Sequence, residues 1–330
     1  MLGFGCWGSR TPNTQYLIPN TSNGQADYML TPSIRERLES QIRGRVVYGE
    51  PLGKYTSFGI GGPAEIMVFP EGEADVRAAL RLCREEGVPY LVLGGGSNLL
   101  VRDGGFRGAV LHLEGIFTQL NVEGKRVWAG AGVRLSRLVA FCSKLALSGV
   151  ECLAGVPGTV GGAVRGNAGA FGGCIADHLV AVRLLTREGD EHVFSRDRME
   201  FSYRRSSLPE GCIILEAAFD LEQGDADEIR RRISANLVQR NRGQPVEWRS
   251  AGSVFKNPPG EYAGRLVEKA GLKGVRAGGA CISPKHGNFI INLGGATATD
   301  VMALIDLMQR QVREKMQVEL ELEVRVVGEE

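Results

Sequence analysis

Two glycine-rich segments constrain the fold of this 330-residue chain more than any other feature. The first, GGGSN at residues 94–98, directly follows the apolar run YLVL, and the second, at residues 155–173, contains eight glycines. Glycine lacks a Cβ, so backbone N–H groups in such loops approach a bound phosphate closely and stabilise its charge. Together the two loops predict a site for a dinucleotide or a nucleotide-sugar diphosphate. The alternative is that their glycines only form tight turns and bulges.

The backbone donors and small polar side chains of these loops are the groups that would contact a diphosphate. The chain lacks the motifs G-x-x-x-x-G-K-[ST], G-x-S-x-G and H-E-x-x-H, which disfavours a P-loop NTPase, an α/β-hydrolase or a zinc protease. A literal G-x-G-x-x-G at residues 3–8 is rejected, because neither a strand precedes it nor a helix follows it. The candidate cofactor-binding residues are Gly94, Gly95, Gly96, Ser97, Asn98, Gly158, Thr159, Gly162, Gly166, Asn167, Ala168 and Gly169.

The overall composition argues against several other classes of function. The 39 Lys and Arg residues balance 38 Asp and Glu residues, which disfavours a dominant nucleic-acid-binding surface. No apolar run approaches membrane-spanning length, and the 4 histidines are too scattered for a His-based metal site. The 7 cysteines form no C-x-x-C pair, and Cys83 and Cys142 fall on apolar helix faces. We expect a cytoplasmic monomer with reduced cysteines and no nucleic-acid, membrane or metal partner.

Hydrophobic periodicity predicts an α+β chain rather than a strictly alternating doubly wound sheet. Residues 1–30 are polar and aperiodic, which is typical of a flexible tail; the alternative is an upstream start, with Met29 as the usual first residue. A polar stretch at residues 222–225 precedes a capped helix, so we expect an N-terminal domain at 31–222 and a C-terminal domain at 223–330. The predicted helices cover residues 73–86, 135–150, 225–241, 261–270 and 299–316. The predicted strands cover residues 90–93, 109–113, 119–122, 126–129, 179–186, 191–195, 212–221, 289–293 and 318–327.

The C-terminal half contributes polar groups of a different kind. The segment SAGSVFKNP at residues 250–258 places a hydroxyl, an ammonium and an amide on one turn, where a serine can donate a proton. An ordinary Ser/Asn/Pro turn is the alternative. Apolar and charged residues alternate at 318–327, which predicts a half-buried strand with a solvated face that carries three glutamates.

Arginines in two segments have both a functional and an ordinary interpretation. An arginine in the segment YRRS (203–206) has the fork geometry that grips a carboxylate with two hydrogen bonds, but a solvated surface arginine is the alternative. Arg240 and Arg242 lie near the end of a predicted helix, where they either hold a diphosphate or complement the helix dipole.

Taken in order, eight segments resemble the family of UDP-N-acetylenolpyruvoylglucosamine reductases (UDP-N-acetylmuramate dehydrogenases), flavoenzymes of peptidoglycan precursor synthesis. The resemblance covers about residues 55–328, and eight segments in one order are far more specific than any one alone. One departure is Leu322, where the family usually has proline before its catalytic glutamate. The segments are YTSFGIGG (55–62), LGGGSNLLV (93–101), AGVPGTVGGAVRGNAGAFG (154–172), YRRS (203–206), GSVFKNP (252–258), AGLKG (270–274), HGNFIIN (286–292) and LEVRVVG (322–328).

The resemblance implies an α+β architecture, with an FAD-binding domain of the vanillyl-alcohol-oxidase (PCMH) type followed by a smaller α+β substrate-binding domain. It implies non-covalent FAD, NADPH as co-substrate, and reduction of UDP-N-acetylglucosamine enolpyruvate to UDP-N-acetylmuramate for cell-wall synthesis. Carried over by position, the proton donor is Ser253, the catalytic arginine is Arg204 and the catalytic glutamate is Glu323. The implied substrate-binding residues are Tyr203, Arg240, Lys256 and Asn257.

The stretch between Tyr203 and Arg240 is short, as in the type of the family that lacks an extra tyrosine loop over the substrate. Two other functions compete with this interpretation: a flavin oxidase that shares only the FAD domain, and a nucleotide-sugar-binding protein without activity. The motifs GSVFKNP and LEVRVVG argue against the first, and the joint presence of Ser253, Arg204 and Glu323 argues against the second.

Overall fold

A computed structural model describes residues 30–330, and the expectations for residues 1–29 and for the 3–8 match lie outside the described residues. In the described part, helices and strands mix without strict alternation, which confirms the predicted α+β class. Thr31 caps the first helix by accepting a hydrogen bond from the Ile34 N–H (3.3 Å), and Pro32 suits its first turn. The α-helices are α1 (Pro32–Gln41), α2 (Glu73–Glu85), α3 (Leu135–Lys144), α4 (Val160–Arg165), α5 (Ala226–Gly243), α6 (Ala263–Lys269) and α7 (Ala298–Met316).

Two sheets form the larger part of the molecule, and one continuous apolar core packs α1, α2 and α3 against both of them. The first sheet is mixed, with an antiparallel pair followed by parallel neighbours, in the spatial order Arg45–Pro51, Pro63–Phe69, Phe106–His112 and Tyr90–Leu93. The second sheet is antiparallel throughout, in the order Glu191–Ser195, Leu179–Leu185, Ile213–Asp220, Arg126–Gly130 and Leu120–Glu123.

Short ribbons and 3₁₀ turns join these elements. Antiparallel ribbons pair Gly169–Ala170 with Gly173–Cys174, Phe201–Ser202 with Arg205–Ser206, and Leu147–Ser148 with Glu222–Gln223. The 3₁₀ turns are Leu52–Tyr55, Gly115–Thr118, Glu151–Leu153, Ile175–Asp177 and Arg196–Arg198.

The C-terminal part builds a second, smaller core. The strands Arg276–Ala277, Ala280–Ile282 and Ile290–Asn292 form an antiparallel sheet beside α6 and α7. Three apolar side chains from the first part, Phe58, Ile60 and Leu100, are buried in this second core. Because Leu100 follows the first glycine segment closely in sequence, the second part of the chain rests directly beside that segment.

The end of the chain returns to the first part. The strand Arg325–Val327 pairs in parallel with Leu99–Val101, which begins one residue after the first glycine segment. The predicted strand at 318–327 is therefore wrong over most of its length, because before residue 325 only an isolated bridge joins Leu322 to Phe255. The expected alternation of burial still holds for Leu320 and Val324, which are buried.

The predicted helix at 135–150 is also too long. Helix α3 ends at Lys144, because Ala146 adopts a left-handed backbone conformation (φ 54°) that no helix continues through. The following residues, Leu147–Ser148, pair instead with Glu222–Gln223. The remaining predicted helices and strands are confirmed with shifts of a few residues at their ends, and Cys83 and Cys142 are buried as expected.

Residues 30–330 contain neither a membrane-spanning helix nor a cluster of metal-ligating side chains. None of the helices in residues 30–330 combines the length and the apolar character that crossing a bilayer requires. In the same residues, no three His, Cys, Asp or Glu side chains are grouped so that they would hold a metal ion.

Asp103 links the two parts of the molecule by capping α7 from outside. Its carboxylate accepts hydrogen bonds from the backbone N–H groups of Ala298 (2.8 Å) and Thr299 (2.9 Å) and from the Thr299 hydroxyl (2.7 Å). Burial raises the pKa of the Asp103 carboxyl, but these hydrogen bonds outweigh burial and hold the pKa below its usual value. The charge also lies at the positive end of the α7 dipole.

We predict that Asp103→Asn lowers the free energy of unfolding by about 1 kcal/mol at neutral pH, since the amide NH₂ cannot accept from a backbone N–H and the negative charge at the helix N-terminus is lost. The depressed pKa means that the cap stabilises the fold above the usual carboxyl range. This stabilisation is lost as the pH falls through the pKa of the folded state. Urea denaturation at several pH values checks both effects. Asp306→Asn, on the exposed face of α7, is the control, and an equal effect of both variants would contradict the cap.

Candidate active site

The two glycine segments lie against each other. A Cβ built on Gly94 would be 2.4 Å from the Thr159 Oγ1 atom, and a Cβ on Gly95 would be 2.9 Å from the Gly158 Cα atom. Real side chains do not approach so closely, so Gly95 requires glycine because it lies against the Gly158 backbone, and Gly94 lies equally close to the Thr159 side chain. The Ser97 hydroxyl adds a hydrogen bond to the Pro157 carbonyl (3.2 Å). The two glycine segments, which are about 60 residues apart in sequence, are therefore adjacent in space.

A third loop, at residues 55–62, completes the same region. Ser57 donates its backbone N–H to the Gly96 carbonyl (3.1 Å), and Gly96 has a left-handed φ of 57°. A Cβ on Gly96 would lie 2.1 Å from the Tyr55 carbonyl oxygen. Sequence reasoning placed no site residue in this loop, although the motif YTSFGIGG was the available signal.

Backbone hydrogen bonds to residues 131–135 fix the second glycine segment. Leu135 donates to the Gly158 carbonyl (3.1 Å), Val160 to the Val133 carbonyl (2.9 Å), and Gly161 to the Ala131 carbonyl (2.9 Å). These contacts hold the N-terminus of the short helix α4 directly behind the contact between the two segments. At two predicted positions the backbone is not crowded: Gly162 and Gly166 would accommodate a Cβ with no neighbour closer than 3.5 Å.

Asn167 and its neighbours follow α4. Asn167 is 8% exposed and has a left-handed φ of 42°, and its side-chain N–H donates to the Ser202 carbonyl (3.0 Å). Its buried side-chain oxygen has no hydrogen-bond partner among residues 30–330. Ala168 donates to the Ala163 carbonyl (2.8 Å), which sets the turn that leads to Gly169. A buried acceptor without a donor costs free energy, so this oxygen is suited to a ligand N–H.

These features fit FAD. The contact of Gly94 and Gly95 with Gly158 and Thr159 forms a backbone cradle that side chains would fill, and such cradles bind pyrophosphates. The unpaired Asn167 oxygen is an acceptor of the kind that the N–H groups of an isoalloxazine ring satisfy.

Arg204 and Glu323 meet beside this cradle, although 119 residues separate them. The Arg204 Nε donates to the Glu323 Oε1 atom at 2.5 Å, and the two side chains are 27% and 13% exposed. Arg204 also donates to the Gly169 carbonyl (3.4 Å) in the second glycine segment. The predicted solvated face of the last strand is therefore wrong at Glu323, which is half-buried against an arginine from the other part of the chain.

The environment of Glu323 raises the pKa of its carboxyl group. Burial raises the pKa of Glu323 above its usual value, while the charges of Arg204 and Lys256 oppose that shift. Its backbone is fixed as well, since the Glu323 carbonyl accepts from the Asn98 side chain (2.9 Å) in the first glycine segment.

Ser253 lies next to Glu323 through a backbone contact. Its neighbour Val254 accepts the Glu323 N–H at its carbonyl (2.8 Å) and donates its own N–H to the Asn288 carbonyl (2.9 Å). The Asn288 side chain bonds both backbone groups of Phe255, at 2.9 and 2.8 Å. Asn288 is 3% exposed, so it fixes the turn that presents Ser253. Sequence reasoning did not select Asn288, although it lies in the motif HGNFIIN.

Arg240 is a cation without a counterion in the described part of the chain. Its Nη1 atom is buried and has no hydrogen-bond partner among residues 30–330. The Arg240 side chain crosses Gly155, because a Cβ there would lie 2.9 Å from the Arg240 Cδ atom. Burial, followed by the charge of Arg204, lowers the pKa of Arg240. Two adjacent arginines, one of them unpaired, are suited to a ligand with several negative charges.

The other implied substrate-binding residues lie at the edge of this region. Tyr203, which is 54% exposed, accepts a hydrogen bond at its hydroxyl from the Asn257 N–H (3.4 Å). The Asn257 side chain accepts from the Ala263 N–H (3.1 Å) at the start of α6. Lys256 forms an ion pair with Glu321, so its ammonium is already partnered.

Comparison with known proteins first defines the class. Residues 64–195 match the family model described as an FAD binding domain, in agreement with the cradle geometry, so the chain is a flavoprotein. Residues 244–327 match the model described as the C-terminal domain of UDP-N-acetylenolpyruvoylglucosamine reductase.

Full-length relatives place the chain in a particular family. It is 45% identical over 301 residues to the UDP-N-acetylenolpyruvoylglucosamine reductase of Syntrophus aciditrophicus, an alignment that covers 90% of this chain and 96% of the relative. The corresponding enzyme of Moorella thermoacetica is 44% identical over 88% of this chain and 96% of its own length. The crystal structure of the Thermus caldophilus reductase superposes with a TM-score of 0.75 at 42% identity, covering 86% of this chain and 99% of that one. The chain belongs to the UDP-N-acetylenolpyruvoylglucosamine reductase family.

We predict that Gly95→Ala weakens FAD binding at least tenfold, or by about 1.4 kcal/mol, because the added methyl group forces the two glycine segments apart. The measurement is the dissociation constant of FAD, obtained by titrating the flavin-free protein and following flavin fluorescence. Gly243→Ala is the matched control, since a Cβ there meets no atom within 4 Å. FAD binding by Gly95→Ala at wild-type strength would contradict the cradle.

Proposed function

We propose that this protein reduces the enolpyruvyl group of UDP-N-acetylglucosamine enolpyruvate to form UDP-N-acetylmuramate for peptidoglycan synthesis, with NADPH as the hydride source. The observation that carries the proposal is the Arg204–Glu323 pair, which joins the FAD-binding part of the chain to the C-terminal part directly beside the glycine cradle. A protein that only stored or bound a flavin would have no use for an arginine and a carboxylate buried together at this position.

The glycine segments would hold FAD non-covalently, through the residues at 94–98, at 158–159 and at 166–169. When bound, FAD supplies the hydride-transfer chemistry that no side chain of the protein provides. The protein contributes position, charge and a proton.

Arg204 acts on the carboxylate of the enolpyruvyl group. When the carbon distant from the ether oxygen gains hydride, negative charge develops on its neighbour and spreads into the attached carboxylate. A guanidinium fixed beforehand stabilises that charge without reorganisation at the moment of reaction. The bond from Arg204 to the Gly169 carbonyl supports such fixation on the cradle side of the site.

Glu323 orients Arg204, and the positive charge of Arg204 then acts on both the Glu323 carboxylate and the substrate carboxylate. Burial raises the pKa of Glu323, so this pKa lies closer to neutral pH than the pKa of an exposed glutamate. In this position it holds the Arg204 guanidinium by the Nε atom, while Nη1 donates to the Gly169 carbonyl and Nη2 is left for another acceptor.

Ser253 donates the proton that completes the reaction. The product needs a proton on the carbon next to the ether oxygen, and the Ser253 hydroxyl is the donor supplied by the turn that pairs with Glu323. Arg240, with its unpaired Nη1 atom, would bind the substrate diphosphate, and Tyr203, Lys256 and Asn257 would line its approach.

The proposed domains are residues 31–222, which would bind FAD, and residues 223–330, which would bind the substrate. We also propose that the protein is a cytoplasmic monomer.

Helix α5 supplies Arg240 and contacts the first part of the chain, since Asn236 donates to the Glu151 carbonyl (2.9 Å). The substrate-binding arginine is thereby held against the flavin-binding part of the chain.

The test uses the FAD-loaded protein and separates its two half-reactions by stopped-flow absorbance. We predict that the wild-type protein is yellow and releases FAD on denaturation. Steady NADPH oxidation is expected only when UDP-N-acetylglucosamine enolpyruvate is added. In Ser253→Ala, NADPH reduces the flavin at the wild-type rate, but reoxidation by the substrate slows at least a hundredfold, or by about 2.7 kcal/mol, because the proton donor is gone.

Ser234→Ala, on the exposed side of α5, is the control and leaves both rates unchanged. Colourless wild-type protein without flavin would refute the proposal, as would flavin that turns over simple sugars with oxygen. Equal slowing of both half-reactions in Ser253→Ala would refute the proton-donor role.

A further inference from the structure

The hairpin that carries Arg204 is fastened to the second glycine segment by three hydrogen bonds. Asn167 donates from its side chain to the Ser202 carbonyl (3.0 Å), on the first strand of the hairpin. The Ser206 hydroxyl donates to the Arg165 carbonyl (2.8 Å), on the second strand. Arg204 itself donates to the Gly169 carbonyl (3.4 Å) from the turn between them. Both strands and the turn of the hairpin are thus tied to residues 165–169.

Backbone strain lies on both sides of this contact. Arg204 has a φ of 58° and Asn167 has a φ of 42°, a left-handed region that few residues other than glycine adopt, although asparagine adopts it more readily than arginine. Such conformations persist where the surrounding contacts over-determine them, and they concentrate at functional sites. The strands of the hairpin are joined by the two-residue turn Tyr203–Arg204, and a positive φ at the second residue is what such a tight turn requires.

We propose that Ser206 is a positioning residue, whose hydroxyl fixes the Arg204 guanidinium in the orientation that meets Glu323. The inference rests on the proposed function. Of the three bonds, two come from residues already assigned to the cofactor or to the reaction, Asn167 and Arg204. The Ser206 bond is the third, and it anchors the strand that leads directly out of the turn. Without it, the strand keeps its pairing with Phe201–Ser202, and Arg165 still holds the Leu208 carbonyl beyond the hairpin (3.1 Å). The strand loses its own side-chain bond to the end of α4, and the 2.5 Å contact between Arg204 and Glu323 loosens.

The adjacent Ser207 offers a matched control. Its hydroxyl accepts the Glu200 N–H (2.8 Å), and its own N–H donates to the Glu200 carbonyl (2.9 Å). Ser207 therefore closes the base of the hairpin on itself and does not tie it to the glycine segment. Removing either hydroxyl deletes one hydrogen bond of similar length, but only the Ser206 bond connects Arg204 to the cofactor side.

The experiment compares the two half-reactions of FAD-loaded Ser206→Ala, Ser206→Thr and Ser207→Ala by stopped-flow absorbance. In Ser206→Ala we expect reoxidation of the reduced flavin by substrate to slow about tenfold, because Arg204 is no longer fixed. Flavin reduction by NADPH and the affinity for FAD stay within about twofold of wild type. Ser206→Thr keeps a hydroxyl donor and restores the rate, and Ser207→Ala leaves both half-reactions unchanged.

A variant with a weaker donor covers the case in which Ser206→Ala does not fold. Ser206→Cys keeps the size of the side chain, and because a thiol is a weak donor, we expect an intermediate slowing confined to the substrate half-reaction. Unchanged substrate reduction in the alanine or cysteine variant would overturn the proposal, as would equal slowing of both half-reactions. If wild-type protein fails to reduce the substrate, the proposed function fails instead, and the two failures are thereby distinguished.

Discussion

The close contact of the two glycine segments, where Gly95 meets the Gly158 backbone and Gly94 meets the Thr159 side chain, is the constraint on which the rest of the structure depends. It leaves no room for a Cβ at Gly94 or Gly95, and the backbone N–H groups of such glycine loops bind phosphate without using net charge. The chain can therefore bind a strongly anionic cofactor while its overall charge stays at +1. The second sheet and helix α3 hold one wall, and the first sheet holds the other.

The C-terminal part is assembled around the same contact. The last strand, Arg325–Val327, pairs with Leu99–Val101 directly after the first glycine segment, and this return places Glu323 at the edge of the cradle. Asn98 fixes the Glu323 backbone from one glycine segment, while Arg204 links its carboxylate to the other. Cofactor cradle, arginine and carboxylate thus form one connected set of contacts, so a displacement of either wall disturbs the charged pair.

Local sequence patterns predicted most of the helices and strands, because apolar periodicity reports which face an element buries. They failed where the outcome depends on a distant partner or a single residue. The end of α3 is set by left-handed Ala146, for which alanine gives no sequence signal. The alternation at 318–327 identified buried positions correctly, but only tertiary pairing decides that the strand begins at Arg325. It also placed Glu323 on a solvated face, because periodicity shows the side of a strand and not what lies opposite. Selecting Glu323 among three glutamates required the resemblance of LEVRVVG to a known family.

The central claim is that Arg204 and Glu323 act as one unit on the substrate. A double-mutant cycle tests it directly, with Arg204→Gln, Glu323→Gln and the double variant, each loaded with FAD and reduced before mixing with UDP-N-acetylglucosamine enolpyruvate. The account predicts that each single change slows flavin reoxidation at least a hundredfold, and that the double variant is no more than about threefold slower than the worse single variant. If the double variant were slowed by the product of the two single effects, the two side chains would act independently, and that result would contradict the account.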